Sequence, residues 1–140
     1  MPAVNTQFSI AVHLMAALGW VKGRGIISGD LAKSINTSPS FVRRILSKLS
    51  KAGLVKTSTG KAGTCLLGRP AKEISLLAIY KAVRPPKVFL VHDYPVQKAC
   101  AISCCIKAAM EKVLNKAQRS LENDLAATSL ADIISDLKKG

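Results

Sequence analysis

The stretch Ser38-Pro39-Ser40-Phe41-Val42-Arg43-Arg44-Ile45-Leu46-Ser47-Lys48-Leu49-Ser50-Lys51-Ala52-Gly53-Leu54-Val55 most constrains the fold of this chain. It reads as a capped amphipathic helix running straight into a strand. Ser38 is a good N-cap, and Pro39 suits the first helical position, where no amide donor is needed. Val42, Ile45, Leu46 and Leu49 recur at helical spacing, so one face belongs to a core. Ser40, Arg43, Arg44, Ser47, Lys48 and Lys51 lie largely outside that stripe. Gly53 stands where a left-handed residue is wanted to stop the helix. A capped helix with an apolar back and a Ser/Arg/Lys front fits the major groove of DNA. The alternative is a surface helix whose basic face is merely solvated.

Charge favours the first reading. The 140 residues carry a formal net charge of +13, which implies a polyanionic partner, nucleic acid before membrane. The excess is uneven. Residues 1–70 hold 10 Lys and Arg against one acid, Asp30, whereas residues 71–140 hold 11 against 7 acids. The basic half is the one that contains the amphipathic helix. A hydrophobic content of 49% is enough for a core and argues against disorder. No apolar run reaches the length of a membrane span. The apolar start, Met1 to Ala17, lacks a cationic region before it, so no signal peptide is expected and the cytoplasm is the expected location.

Around the basic helix the chain predicts a winged helix-turn-helix. Phe8, Ala11, Val12, Leu14, Met15 and Leu18 follow a helical period over about Thr6 to Leu18, with Asn5 or Thr6 as cap. Ser28 caps a short second helix with Leu31, Ala32 and Ile35 inward, and Asn36-Thr37 makes the turn into the basic helix. Leu54 to Ser58 and Thr64 to Leu67 read as two strands joined by the turn Gly60-Lys61-Ala62-Gly63. In this hairpin, the wing, Lys56 and Lys61 are placed to meet phosphates. Ile74 to Val83 reads as a further helix that Arg84-Pro85-Pro86-Lys87 breaks. Val88 to Val91 is a short apolar segment.

From Gln97 to about Ala127 no Gly or Pro occurs, and Ile102, Cys105, Ile106, Met110, Val113, Leu114 and Leu121 trace one stripe. Such a helix would be roughly 45 Å long at about 1.5 Å per residue. That exceeds what a small domain can cover, so the stripe predicts packing against a second copy; the alternative is a helix folded back on its own domain. Ser129 or Thr128 caps a last helix with Leu130, Ile133, Ile134 and Leu137 inward.

The four cysteines are Cys65, Cys100, Cys104 and Cys105. In a reducing compartment clustered thiols are more often sensors or metal ligands than bridges. Cys100, at the predicted helix start where the dipole favours a thiolate, leads Cys104 and Cys105 as a redox-sensing candidate. Cys105 lies on the apolar stripe and its simplest role is burial. Cys65 reads as wing packing. A metal site from Cys100, Cys104, Cys105 and His92 would need adjacent cysteines, about 100° apart on a helix, to face one ion, so no metal is expected. His13 reads as a packed or capping side chain. No catalytic triad, phosphate loop or carboxylate pair is visible, so no enzyme is expected.

The chain resembles the Rrf-two family of bacterial winged-helix transcription regulators over nearly its whole length. The resemblance rests on Phe8-Ser9-Ile10-Ala11-Val12-His13, on Ser38 to Leu46, on Lys51-Ala52-Gly53-Leu54-Val55, on the wing turn Gly60 to Gly63, on Glu73 to Val83 and on Ser129 to Ile134. Ala11-Val12-His13 and Val42-Arg43-Arg44 look most like its YwnA-like subgroup. The resemblance implies a homodimer whose two recognition helices read a palindromic operator, with Ser38, Ser40, Arg43 and Arg44 on the DNA-reading helix and Gly60 to Gly63 at the wing tip. Two departures stand out. Many members carry an arginine just before the wing glycine, where this chain has Thr59, and the iron–sulfur members space three cysteines more widely than Cys100-x-x-x-Cys104-Cys105.

Together these readings predict a mainly α fold with a small β-hairpin: a winged helix-turn-helix over residues 1–84, a linker over 85–96, and a dimerisation helix with the C-terminal helix over 97–140. The expected function is a homodimeric, sequence-specific regulator of double-stranded DNA, a repressor with activation as the alternative, without a cofactor and responsive to an oxidant or small-molecule effector. Ser38, Ser40, Arg43, Arg44, Lys48, Lys51, Lys56 and Lys61 are its candidate DNA contacts. Ile102, Ile106, Met110, Val113, Leu114 and Leu121 are its candidate dimer residues. The alternatives are an iron–sulfur or metal-sensing regulator and an architectural binder without sequence preference.

Overall fold

A computed structural model of the chain describes residues 6–58 and 63–140. It divides into two compact units, one of residues 1–85 with 125–140, the other of residues 86–124. The first unit holds α1 (Gln7–Trp20), β1 (Ile26–Ile27), α2 (Ser28–Ile35), α3 (Pro39–Lys51), β2 (Val55–Thr57), β3 (Thr64–Leu67) and α4 (Leu76–Val83). It is completed by α6 (Leu130–Lys139), while α5 (Ile106–Ala126) belongs almost wholly to the second unit.

Three helices of the first unit start or stop for a local reason, whereas Thr6, at the cap position of α1, makes no side-chain cap. Ser38 accepts a hydrogen bond from Phe41 N at 3.3 Å, with Pro39 in the first helical position of α3. Gly53 adopts φ +77° after α3, and Leu54 N then donates to Leu49 O at 3.0 Å. Ser75 caps α4 by accepting from Ala78 N at 3.1 Å. Arg84, with φ 48°, turns the chain out of α4 before Pro85. Ser129 and Asp132 form a reciprocal capping box at the start of α6. The second helix begins one residue earlier than a Ser28 cap would require, since Ile27 holds the cap position.

The core is one cluster. Ala11, Leu14 and Met15 of α1 meet Val42, Ile45 and Leu49 of α3, with Ile79 of α4 and Leu130 of α6 all fully enclosed. Fully burying a side chain of this size is worth about 1.5–3 kcal/mol. The last helix, which the sequence groups with the long helix, packs instead on α1. Its entry is fixed by backbone: Leu76 N donates to Thr128 O at 2.9 Å and Leu130 N to Ile74 O at 2.8 Å. Sequence periodicity shows that α6 has an apolar face but not which element receives it.

The sheet has the order β1-β3-β2, all antiparallel. The hairpin of β2 and β3 agrees with the sequence reading, with Lys56 opposite Leu66 and Thr57 opposite Cys65. The third strand, β1, is two residues long, too short for any pattern to announce it. Ser58 and Thr64 close the base of the wing through a hydroxyl contact of 2.7 Å. The turn residues 59–62, including Lys61, lie outside the described residues.

The second unit departs most from the sequence reading. Its helix α5 begins at Ile106, not near Gln97, and its 21 residues are about 32 Å long. Residues 98–105 form successive turns, with Gln97 N donating to Ser103 Oγ at 2.8 Å. The segment from Lys87 to Tyr94 runs antiparallel beside α5. Lys87 Nζ donates to Asn115 Oδ1, Val88 N to Gln118 Oε1, and Lys107 Nζ to the Tyr94 carbonyl.

Gly68 passes so close to the turn after α3 that a Cβ there would sit 2.2 Å from Gly53 O. Gly68 N also donates to Leu54 O at 2.8 Å, so the contact cannot relax by moving apart. Replacing Gly68 with Ala is expected to lower unfolding free energy by about 1–3 kcal/mol, read from chemical denaturation.

Candidate nucleic-acid interface

The helix-turn-helix is built from α2, a three-residue turn and α3. Asn36 takes the left-handed conformation, φ 67°, and its N–H donates to Ala32 O at 2.8 Å. Thr37 N shares the same acceptor at 3.0 Å, which closes α2 and aims the chain into the Ser38 cap. The roll of α3 about its axis then follows from its buried side. Val42, Ile45, Leu46 and Leu49 are enclosed, as their spacing predicts. Ser40, Arg43, Arg44, Ser47, Lys48 and Lys51 are all exposed.

The exposed residues do not form one uniform face. Arg43, Ser47 and Lys51 line a groove of about 410 Å³ between α3 and the wing, with Ser28 of α2 and Thr57 of β2 on its other walls. Ser40 lies one turn before Arg43 on the same side of the helix. Arg44 and Lys48 occupy the flank away from the wing. There the Arg44 guanidinium sits over the Phe41 ring at 5.4 Å, and Lys48 Nζ donates to Gln7 Oε1 at 2.8 Å. Both side chains are thus held in place before any ligand arrives. Lys56 is exposed on β2, and strand alternation turns it to the face opposite Thr57.

Ser47, which the sequence puts on the polar front of the helix but not among the candidate DNA contacts, joins Ser28 and Thr57 in the groove. Ser47 had a signal, standing one turn after Arg43 and one before Lys51. Ser28 and Thr57 had none, because only the fold brings them beside α3. Lys48 is a candidate DNA contact by charge alone, and its hydrogen bond to Gln7, 41 positions away, has no sequence signature.

Cys65 faces inward from β3 and is almost completely buried, and burial pushes its thiol above the usual range. Cys100, Cys104 and Cys105 are exposed. This corrects two expectations. Cys105 does not join a buried stripe, because it stands in a turn ahead of α5. Cys100 does not stand at the positive end of a helix dipole, because α5 starts six residues later. Among the described residues no group of three or more His, Cys, Asp or Glu side chains is placed to hold a metal ion.

A second concavity of about 750 Å³ lies between α1, α2 and α6. Its walls are mostly apolar, including Val12, Trp20, Leu31 and Ile133. His13 stands at its edge, with Nε2 and Ser34 Oγ 3.0 Å apart, so His13 ties α1 to α2.

The sequence profile of the Rrf2 family, described as an iron-dependent transcriptional regulator, matches residues 4–136. YwnA of Bacillus subtilis, whose name designates an HTH-type transcriptional regulator, is 34% identical over 135 residues, 96% of this chain and 98% of that protein. The fold superposes on a crystal structure described as that of a DNA-binding protein, with a TM-score of 0.74 and 30% identity over 91% of this chain and 98% of the other. It also superposes on that of a transcriptional regulator from Lactobacillus plantarum, with a TM-score of 0.82 and 25% identity over 95% of this chain and 90% of the other.

Two measurements check this geometry. Ser38→Ala is expected to destabilise the protein by about 1 kcal/mol through loss of the α3 cap. Alkylation of the native protein is expected to reach Cys100, Cys104 and Cys105 and to spare Cys65 until the chain is unfolded, as mass spectrometry would read directly.

Proposed function

The chain belongs to the Rrf2 family of DNA-binding transcription regulators, and on that premise we propose that it acts as a homodimeric repressor reading a palindromic operator. The observation that carries the dimer is α5. None of its residues is buried, and Val113 and Met110 are 58% and 38% exposed. Ile106, Leu114 and Leu121 continue the same apolar line, with Ile102 exposed just before it. An apolar line of this length with no residue of α5 buried calls for a second copy, and two copies related by a two-fold axis present two recognition helices. Two half-sites about one helical turn apart, roughly 34 Å, suit such a pair.

Within each copy the two sides of α3 divide the work. Arg43, with Ser40 and Ser47, is positioned to read base edges, since an unrestrained guanidinium can fork onto guanine O6 and N7. Arg44 and Lys48, already anchored, suit fixed phosphate contacts, and Lys51 and Lys56 add charge along the backbone path. Lys61 lies outside the described residues and enters this reading from the sequence alone. Occupation of promoter DNA by such a dimer would repress transcription by excluding polymerase.

The exposed thiols of Cys100, Cys104 and Cys105 stand immediately before α5, which supports a thiol-modifying effector acting on the dimer helix. The apolar groove beside α2 favours a small-molecule effector as the second reading. The family's iron finds no fitting ligand set among the described residues, so no iron-dependent step enters the proposal. No described helix is long and apolar enough to cross a membrane.

Selection of duplexes from a random pool with reduced, metal-free protein tests the reading. A recovered palindrome supports it, and binding without sequence preference overturns it in favour of an architectural role. On the recovered site Arg43→Ala should lose about 1–3 kcal/mol and relax preference at one position per half-site. Lys51→Ala should weaken all duplexes alike and flatten the salt dependence by about one unit of slope. Val113→Glu should give a monomer by light scattering and abolish binding to the full palindrome while the fold persists.

A further inference from the structure

The turn ahead of α5 holds two adjacent thiols in direct contact. Cys104 Sγ and Cys105 Sγ lie 3.4 Å apart, and both side chains are exposed. Cys104 Sγ also donates to Ala101 O at 3.1 Å, so the pair is fixed from the turn side. Cys100 Sγ accepts from Ser103 N at 3.5 Å, which turns the third thiol to a different partner.

The distance selects among thiol chemistries. A disulfide would need the sulfurs to close to about 2.05 Å, which adjacent cysteines reach only with backbone movement. Two thiolates on one common atom at about 2.3 Å are held roughly 3.4–3.8 Å apart for angles between about 95° and 110°. The pair therefore already has the bite for a bridging atom. Zinc would take four ligands, and no third His, Cys, Asp or Glu stands ready among the described residues. A centre that binds two sulfurs near a right angle and brings its remaining substituent with it fits better.

We propose that Cys104 and Cys105 form a bidentate capture site for trivalent arsenicals. Arsenous acid would lose two of its hydroxyl groups: each As–O bond is replaced by an As–S bond, and each thiol hydrogen leaves with a hydroxyl as water. Arsenic stays trivalent, no electrons are exchanged, and the third hydroxyl remains on the arsenic. The site stands apart from operator reading, because capture requires no DNA.

Phenylarsine oxide is the probe, used on the full reduced chain. One equivalent should add with loss of one water, remove two of the three reactive thiols, and resist excess monothiol while a small dithiol reverses it. Cys104→Ser and Cys105→Ser should each lose this monothiol-resistant adduct, and Cys100→Ser should keep it. An alkylation map of the unmutated adduct, which needs no variant to fold, should show Cys104 and Cys105 protected and Cys100 modified. Release by monothiol, protection of Cys100 in place of either neighbour, or retention of the adduct by both single variants would overturn the assignment.

Discussion

Burial of Val42, Ile45, Leu46 and Leu49 fixes the rotation of α3, and the rest of the interface follows from that rotation. A helix has one degree of roll freedom, and a side chain moves through about 100° of azimuth per residue. Enclosing four apolar residues on one side leaves Ser40, Arg43, Ser47 and Lys51 facing out with no further instruction. The cap at Ser38 and the left-handed Gly53 set where that face begins and ends. The wing completes it, because Leu54 and Val55 are themselves core residues and lock the start of β2 beneath the helix.

The polarity of that surface depends equally on what is withdrawn from it. The Phe41 ring under Arg44 and the Gln7 amide beside Lys48 hold two cations on one flank. Holding them removes rotamer freedom before DNA is met, which lowers the ordering cost of a later contact. Among the described residues none restrains Arg43 in this way, and it lines an open groove. The two sides of α3 thus differ in how freely their cations move, a firm flank beside an open groove.

The recognition helix, the hairpin and the apolar faces of α1 and α4 were legible in the sequence because each has a strong local signal. The cap, the helical spacing and the Gly53 stop all lie within the segment they define. The features that were not legible depend on distant partners. The two-residue β1 exists only because β3 lies beside it, and α6 docks on α1 rather than on its sequence neighbour. The start of α5 was misplaced because residues 97–105 contain no helix breaker, whereas Gln97 and Ser103 make a turn bond that a helix would not. That shift alone moved three cysteines from a helix into a turn and changed what each can do. In the candidate site the cationic residues were legible by charge, but their separation into groove and flank was not.

The clasp between Ile74 and Leu130 makes the winged-helix unit discontinuous along the chain. Its fold is therefore finished only after the ribosome has made everything from Pro86 to the end of α5. Until then the side of α1 that receives Leu130 and Ile134 has no cover. During synthesis α3 must consequently wait for α5 and α6, and a chain stopped after α4 has the whole basic helix in sequence but lacks a wall of its core.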